Sequence, residues 1–287
     1  MEQDLRHRII ATNGIRLHAV EAGPEDGPLL IFLHGFPEIW YGWRKQIAPF
    51  AEQGFRVLAP DQRGYNTSDK PEGVRAYGMD NVVQDIVGLI DEAGREKAYI
   101  VGHDWGGVAA WWLGLKHPDR IERLVLLNCP HPGVMWRHLR KNPRQLKRSW
   151  YMFFYQLPWL PERTLSKDGY AYLGKALKWT SRRGTFTDED LKVYREAWAQ
   201  PGALTAMLNW YRAGIRARPT RPPSPRVTVP TLLIWGTKDR FLGEELAQPS
   251  IDKCDHGRLA RIEEATHWVQ HEEPERVNAL IGDFFQS

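Results

Sequence analysis

The stretch that most constrains this chain is Ala98-Tyr99-Ile100-Val101-Gly102-His103-Asp104-Trp105-Gly106-Gly107. Its first four residues predict a buried strand, and a helical pattern follows from Val108 to Lys116. Such an abrupt turn from strand to helix strains its central residue, so the residues two positions away on each side must be small. Gly102 and Gly106 meet this requirement around Asp104. The Asp104 carboxylate is thereby placed at a helix N-terminus, which favours negative charge.

Taken alone, the stretch fits two interpretations equally well. One is the strained elbow with Asp104 at its centre, and the other is an ordinary strand, glycine turn and helix in which the aspartate only caps the helix. Two other glycine-rich motifs do not fit it, because the spacings of a dinucleotide fingerprint and of a phosphate-binding loop are absent from the sequence. Most elbows of this kind carry serine at the centre, and here the residue is Asp104. That difference determines much of the chemistry that the site can perform.

Composition limits the class of protein. A chain of 287 residues suits a large α/β core with an insertion, and no apolar run approaches the ~20 residues of a membrane span. The first residues, Met1 to Asp4, show no apolar signal segment, so we expect a cytoplasmic location. Two cysteines, Cys129 and Cys254, predict neither a disulfide framework nor a metal site, as in a reducing compartment.

The net charge of +4 is modest, but a basic run extends from Arg137 to Arg148. Such a run would suit an acidic partner. We expect a solvated helix face instead, and no nucleic acid partner, because aromatic stacking platforms are not interleaved with the run. Thirteen tryptophans are compatible with an apolar ligand cavity and also with core packing alone.

Strands and helices alternate on both sides of the elbow. Ile15, Leu17 and Ala19 alternate with polar residues, which predicts an edge strand. Continuous apolar runs predict buried strands at Pro28–Leu33 and Ile121–Leu127. Further strands are predicted at Phe55–Ala59, Thr231–Trp235 and Arg258–Ile262, with helices at 40–52, 81–93 and 275–285. We therefore predict an α/β fold with a mostly parallel central sheet flanked by helices.

The alternation stops at about Pro130 and resumes after Pro225. The intervening sequence is helical, aromatic and basic, and it ends in the proline-rich linker Arg218–Pro225. We predict that this segment is a helical cap inserted into one sheet. The predicted organisation is a first part of the core at 1–129, the cap at 130–225 and a second part of the core at 226–287.

The loop after the strand at 28–33 is His34-Gly35-Phe36-Pro37-Glu38. Loops at the carboxyl ends of central strands are where open α/β sheets bind ligands. Gly35 permits close approach of the backbone, and Pro37 suits a cis peptide bond. The Phe36 amide is a candidate for half of an oxyanion hole, although a tight structural turn explains the motif equally well.

Two residues past later strand ends complete a possible triad. Asp239 follows the strand at 231–235 and is placed to orient a histidine, and His267 follows the last strand. His103 is expected to point away from the cleft. Seven other histidines are expected to lack an acidic partner at a strand end: His7, His18, His117, His131, His138, His256 and His271. The order of nucleophile Asp104, acid Asp239 and base His267 is that of the α/β-hydrolases.

Taken together, these motifs resemble the epoxide hydrolases of the α/β-hydrolase superfamily, and the resemblance covers the whole chain. Spacing alone favours a core role for Tyr151 and Tyr211. However, Asn209-Trp210-Tyr211-Arg212 resembles the family's second tyrosine motif, and Tyr151, four residues before Tyr155-Gln156, resembles the first. Tyr155 stays a rival to Tyr151. One departure is Asn66, where the family more often has glycine in a turn that asparagine also tolerates.

The resemblance implies that Asp104 opens an epoxide to form an ester, with Tyr151 and Tyr211 as proton donors. His267, oriented by Asp239, would activate the hydrolytic water. The implied oxyanion donors are the amides of Phe36 and Trp105, and the implied substrate pocket contains Phe36, Pro37, Trp105, Tyr155 and Trp268. No metal or organic cofactor is implied. The expected partner is a small-molecule epoxide, and the expected state is a monomer or a homodimer.

Two other functions stay open. A haloalkane dehalogenase shares the aspartate nucleophile, and Trp105 would supply one halide donor, but Phe36 has no side-chain donor for a second. A non-catalytic binding protein of this fold commonly loses part of the triad, which this chain keeps. Serine esterase chemistry is disfavoured because the elbow carries no serine.

Overall fold

The computed structural model describes residues 5–287, and its eight strands form one sheet. The expectation about a signal segment concerned residues 1–4, which lie outside the described residues. The strands are β1 (Arg6–Thr12), β2 (Ile15–Ala22), β3 (Leu29–Leu33), β4 (Arg56–Pro60), β5 (Ala98–His103), β6 (Ile121–Leu127), β7 (Thr231–Gly236) and β8 (Gly257–Ile262).

Across the sheet the strand order is β1-β2-β4-β3-β5-β6-β7-β8. The pairs β1–β2 and β2–β4 are antiparallel, and every other neighbouring pair is parallel. The prediction of a mostly parallel sheet is confirmed. Because β3 and β5 to β8 run in one direction, their carboxyl ends meet at one edge of the sheet.

The prediction of an edge strand at residues 15–20 was wrong. β2 pairs with β1 on one side and with β4 on the other, and six of its eight residues are buried. The edge is β1, which the sequence pattern missed because five of its seven residues are exposed. A polar, exposed strand has no apolar run or clean alternation by which to detect it.

Helices cover both faces of the sheet. The helices of the core are α1 (Arg44–Glu52), α2 (Met79–Glu92), α3 (Asp104–Lys116), α10 (Ala247–Ile251), α11 (Val269–Glu272) and α12 (Pro274–Gln286). Alternate residues of β3 enter two separate cores: Leu29 and Ile31 pack with α2 and α3, whereas Leu30 and Phe32 pack with α1 and α12. This period of two is the geometry of a strand buried on both faces.

Six helices lie between β6 and β7, in the segment predicted to be the cap. They are α4 (Pro132–Lys141), α5 (Pro143–Arg148), α6 (Trp150–Phe154), α7 (Leu160–Thr180), α8 (Asp188–Trp198) and α9 (Ala203–Arg216). Helix α7 is interrupted at 167–170, where Asp168, Gly169 and Tyr170 have positive φ. The cap boundaries at 130 and 225 stay a prediction. Within residues 5–287 no helix has the length and apolar character that crossing a membrane takes.

Candidate active site

The turn between β5 and α3 has the strained geometry that the sequence predicted. Asp104 is the first residue of α3 and has a φ of +50°, in the left-handed region that L-residues other than glycine seldom adopt. A Cβ atom on Gly102 would lie 2.5 Å from the Gly106 carbonyl oxygen, and one on Gly106 would lie 2.1 Å from that of Leu33. Both distances are shorter than van der Waals contact, so this elbow requires glycine on either side of Asp104.

The Asp104 carboxylate is held from two sides. Its Oδ1 accepts a hydrogen bond of 2.9 Å from the Phe36 amide, and its Oδ2 lies 3.5 Å from Nε2 of His267. The loop after β3 can approach Asp104 this closely because Gly35 has no side chain. A Cβ atom at Gly35 would lie only 2.4 Å from the Cβ of Asp104. Burial alone would raise the pKa of Asp104, but the contact with His267 and the Phe36 amide lower it overall. Asp104 is therefore ionised at neutral pH.

His267 lies between two carboxylates. Its Nδ1 is 2.7 Å from Oδ2 of Asp239, on the side opposite Asp104. Burial disfavours the charged imidazolium, yet the negative charges of Asp239 and Asp104 outweigh it and raise the pKa of His267 to about 10. With Asp104 ionised, His267 is therefore protonated at neutral pH. The structure thus brings the three predicted triad residues together.

A residue that the sequence analysis missed helps to hold the acid. Asn128, which follows β6 and has a φ of +41°, donates from Nδ2 to Oδ2 of Asp239 at 2.8 Å. It also exchanges hydrogen bonds with both backbone groups of Gly236. The other Asp239 oxygen accepts from the amides of Phe241 and Leu242. The only sequence signal for Asn128 was its position at the carboxyl end of a buried strand.

The candidate oxyanion donors lie beside the nucleophile. The Phe36–Pro37 peptide bond is cis, as the sequence suggested, and the Phe36 amide points at the Asp104 carboxylate. Trp105 is the second residue of α3, so its amide is one of the groups at the helix N-terminus that have no intrahelical acceptor.

A cavity of about 650 Å³ lies over Asp104 and is lined mostly by aromatic and aliphatic side chains. Of the predicted pocket residues, Phe36, Pro37, Tyr155 and Trp268 line it. Trp105 does not line this cavity. The Trp105 ring points instead toward Gly214 and Trp210 of α9. Trp105 therefore lines a second cavity of about 140 Å³, which also reaches Asp104.

Two cap tyrosines stand where the cavities meet. Tyr151 of α6 and Tyr211 of α9 line both cavities, as Asp104 does, whereas Tyr155 lines only the larger one. Within residues 5–287, no other protein group forms a hydrogen bond with the hydroxyl of Tyr151 or Tyr211. Burial, and then the charge of Asp104, raise the pKa values of both phenols well above their usual range. Both groups therefore stay protonated and are free to donate.

The three tyrosines differ in their coupling to the nucleophile. The pKa of Tyr155 is also raised, but after burial the neighbouring Tyr172 contributes more than Asp104 does. Its ring packs between those of Phe36 and Tyr211, with centroids 5.7 and 4.9 Å away. These contacts are typical of a wall residue.

The expectation that the seven other histidines lack an acidic partner at a strand end was wrong for His18, which lies 2.7 Å from Asp61, directly after β4. His271 also has an acidic partner, because it lies 2.6 Å from the buried carboxylate of Glu38 in the loop after β3. Neither acid was paired with a histidine in the sequence analysis, because the partners are brought together only by the fold. His103 lines neither cavity, and its Nε2 contacts the backbone oxygen of His267 at 2.8 Å.

Comparisons with known proteins agree with this geometry. A family model described as the alpha/beta hydrolase fold matches residues 28–274. The chain is 49% identical over 280 residues to the AB hydrolase superfamily protein YfhM of Bacillus subtilis, covering 98% of each chain. It is 38% identical to human epoxide hydrolase 4, covering 96% of this chain and 77% of that one.

Among solved structures, one match is the epoxide hydrolase of Bacillus megaterium in complex with an inhibitor. It has a TM-score of 0.89 at 31% identity and covers 98% of this chain and all of that one. Fold, elbow and triad order define the chain as an α/β-hydrolase. Within that superfamily it belongs to the epoxide hydrolase family.

Proposed function

We propose that this protein hydrolyses an apolar epoxide to a vicinal diol through an ester on Asp104. The observation that carries the proposal is the joint placement of an aspartate at the elbow and two unpartnered phenols, Tyr151 and Tyr211, around the same cavities. A carboxylate attacks an sp³ carbon, and the alkoxide that leaves needs a proton. Relatives named as epoxide hydrolases support the same activity.

In the first step, an Asp104 oxygen attacks a ring carbon, and the bond from that carbon to the epoxide oxygen breaks. Tyr151 and Tyr211 hold the oxygen by hydrogen bonds, and one of them transfers its proton to it. The products of this step are a hydroxyalkyl ester on Asp104 and a tyrosinate. General acids of this kind contribute about 10²–10⁴-fold to the rate.

Ester formation prepares the base for the second step. The ester is neutral, so His267 loses one of the two carboxylates that raise its pKa. The imidazolium then gives up its proton, which balances the proton that the tyrosinate regains. Neutral His267, held by Asp239, is the form that can accept a proton from water.

In the second step, His267 takes a proton from water, and the hydroxide attacks the ester carbonyl carbon of Asp104. The amides of Phe36 and Trp105 stabilise the oxyanion, and each such donor contributes ~2.7–4 kcal/mol in other enzymes. The ester bond breaks, the diol oxygen takes the proton from His267, and Asp104 is left as a carboxylic acid that contains one oxygen from water. Its proton, the second one of that water, passes to His267, which restores the Asp104 carboxylate and the protonated imidazolium.

A single turnover in ¹⁸O-labelled water, with enzyme in excess over styrene oxide, tests the ester route. We expect an unlabelled diol and one labelled oxygen in the peptide that contains Asp104, both read by mass spectrometry. The Asp104→Ala variant is the control and is expected to yield no diol. Direct transfer of label from water to the diol would contradict the ester. An absence of diol would contradict epoxide hydrolysis and direct the assay to haloalkanes.

The other properties of the protein are proposals as well. We place it in the cytoplasm as a monomer or homodimer, with the cap spanning residues 130–225. The two cysteines are unpaired and buried, which is compatible with a reducing compartment.

A further inference from the structure

The cap carries an unbalanced charge. Between Pro132 and Thr180 the sequence has ten Lys and Arg residues against two acidic ones, a surplus of eight, whereas the whole chain has a net charge of +4. One of the two acids, Glu162, is bound by Arg212 of α9. Of the ten basic residues, only Lys178 has an ion-pair partner within residues 5–287. The other nine are exposed to solvent with their charge uncompensated.

The same segment contains most of the large hydrophobic side chains that are exposed. Among residues 5–287 there are eleven of them, and nine lie between Pro132 and Thr180. The most exposed of these nine are Trp159 at 66%, Trp179 at 64% and Trp150 at 57%. Single exposed apolar residues are common, but a concentration of this kind marks an interaction surface.

The cations and the aromatic residues border one opening. Three basic residues of α5 line the large cavity together with three exposed aromatic residues of α6 and α7: Arg144, Lys147 and Arg148, and Trp150, Tyr172 and Trp179. They therefore lie on the same face of the protein, around the mouth of the cavity.

The Lys and Arg residues of the basic run from Arg137 to Arg148 are exposed, as expected of a solvated helix face. The sequence pattern did not take into account the two tryptophans that flank the run, Trp136 and Trp150, which are both exposed.

We infer that the cap surface, meaning the exposed side chains between Pro132 and Thr180, binds anionic lipid membranes with the cavity mouth facing the lipid. Lys and Arg near a membrane surface are attracted to anionic headgroups, and tryptophan rings favour the interface below them. A membrane satisfies both features of this surface at once. It also dissolves the apolar molecules that the cavity fits, so substrate would enter from the lipid side. The binding itself does not depend on the proposed reaction.

The test is flotation of the protein with vesicles of phosphatidylcholine mixed with phosphatidylglycerol, compared with phosphatidylcholine alone. We expect strong binding only to the anionic vesicles. Raising the ionic strength from about 0.01 to about 1 M shortens the Debye length from about 30 to about 3 Å, so most of the binding is lost.

Two sets of variants separate the contributions. Arg137, Arg140 and Lys141 of α4 line neither cavity at Asp104, and their joint replacement by Glu is expected to weaken binding by at least about tenfold. The double variant Phe153→Ser and Trp159→Ser is expected to remove the binding that survives high salt. Activity on a water-soluble epoxide should be unchanged in both, which also shows that they fold.

The matched charge control is Lys97→Glu, Lys253→Glu and Arg258→Glu, which makes the same charge change near the amino ends of β5 and β8, opposite the cap. Ile9→Ser on β1 is the control for exposed apolar surface. Both controls are expected to bind vesicles like the wild type. The inference is overturned if the wild type does not float with anionic vesicles, or if the cap and control charge variants lose binding equally. It is also overturned if an oligonucleotide binds the same residues more tightly than the vesicles do.

Discussion

At the scale of single residues, the proposed mechanism gives the three tyrosines around Asp104 separable roles. Tyr151→Phe and Tyr211→Phe each remove one proposed donor to the epoxide oxygen, and we expect each to lower the rate of ester formation by about tenfold to a hundredfold. Tyr155→Phe is the matched control and should change that rate little. Stopped-flow measurement of single turnovers makes the comparison. If Tyr155→Phe were impaired and Tyr151→Phe were not, Tyr155 would be the first donor.

Asn128 acts through Asp239, so its loss should affect one step more than the other. Asn128→Ala removes a buried hydrogen bond to Asp239 and two to Gly236, which is expected to cost roughly 1–3 kcal/mol of stability in urea unfolding. Because the pair of Asp239 and His267 serves ester hydrolysis in the proposed mechanism, the ester on Asp104 should accumulate in rapid-quench samples. A variant that slowed both steps equally would show only a structural role for Asn128.

The raised pKa of His267 predicts how stability depends on pH. The folded state binds the His267 proton more tightly than the unfolded state, in which the pKa is near its ordinary value of 6.5. This contribution is fully present below pH 6.5 and is lost as pH rises through the folded pKa of about 10. Urea unfolding of the wild type should therefore show lower stability at pH 10 than at pH 7. His267→Gln should show a smaller difference, and an equal one would contradict the charge assignment.

At the scale of elements, one buried carboxylate joins the cap to the core. Glu38, in the loop after β3, accepts hydrogen bonds from Tyr194 of α8 and from His271 and Gln270 of α11. The bond from Tyr194 therefore ties α8 to the loop after β3, and His103 lies 3.4 Å from the same carboxylate.

Glu38→Gln is expected to lower stability by at least about 1.5–3 kcal/mol, since an amide nitrogen cannot accept these bonds. The pKa of Glu38 lies well below its usual 4.5, owing to its histidine neighbours, although burial alone would raise it. Its stabilisation is therefore present above pH 4.5 and is lost as pH falls through the folded pKa. Tyr194→Phe, which removes one bond and keeps the ring, should lose less. The two curves of unfolding free energy against pH provide the measurement.

Elements were predictable from sequence where burial alone determines their pattern. The run Ile121–Leu127 coincides with β6, and the other parallel strands were predicted to within two residues. For all of them except the half-exposed edge strand β8, the reason is that strands buried on both faces are mostly apolar. The strand β1 was missed because most of its residues are exposed, so its sequence contains no continuous apolar run. The cap was predicted as helical but not divided into its six helices, and nothing in the sequence predicted the interruption of α7 at 167–170.

The residues of the candidate active site were likewise predictable only where the local sequence pattern determines their position. Asp104, Asp239 and His267 were predicted because each lies in the loop or turn that follows a strand, and the carboxyl ends of parallel strands meet. Asn128 and Asp239 are 111 residues apart in sequence, and their hydrogen bond depends on the register of β6 against β7. Such a partner is visible only once the sheet has formed.

At the scale of the whole molecule, the shape of the cavity predicts substrate preference. Its aromatic lining and volume of about 650 Å³ suit an aryl epoxide better than a short aliphatic one. We expect kcat/KM for styrene oxide to exceed that for propylene oxide by more than about tenfold, because the phenyl ring buries apolar surface. Steady-state assays with both substrates check this, and a preference for the small epoxide would contradict it.

The residues proposed to be catalytic come from two parts of the molecule, the sheet and the cap helices. Asp104, Asp239 and His267 stand on the edge of the sheet, whereas Tyr151 and Tyr211 stand on helices of a segment that is continuous in the chain. In the proposed mechanism, ring opening needs residues of both the sheet edge and the cap helices, but ester hydrolysis needs only those of the sheet edge. A single gene splice could therefore exchange the proton donors and the pocket walls together, while the water-activating half of the enzyme is inherited unchanged.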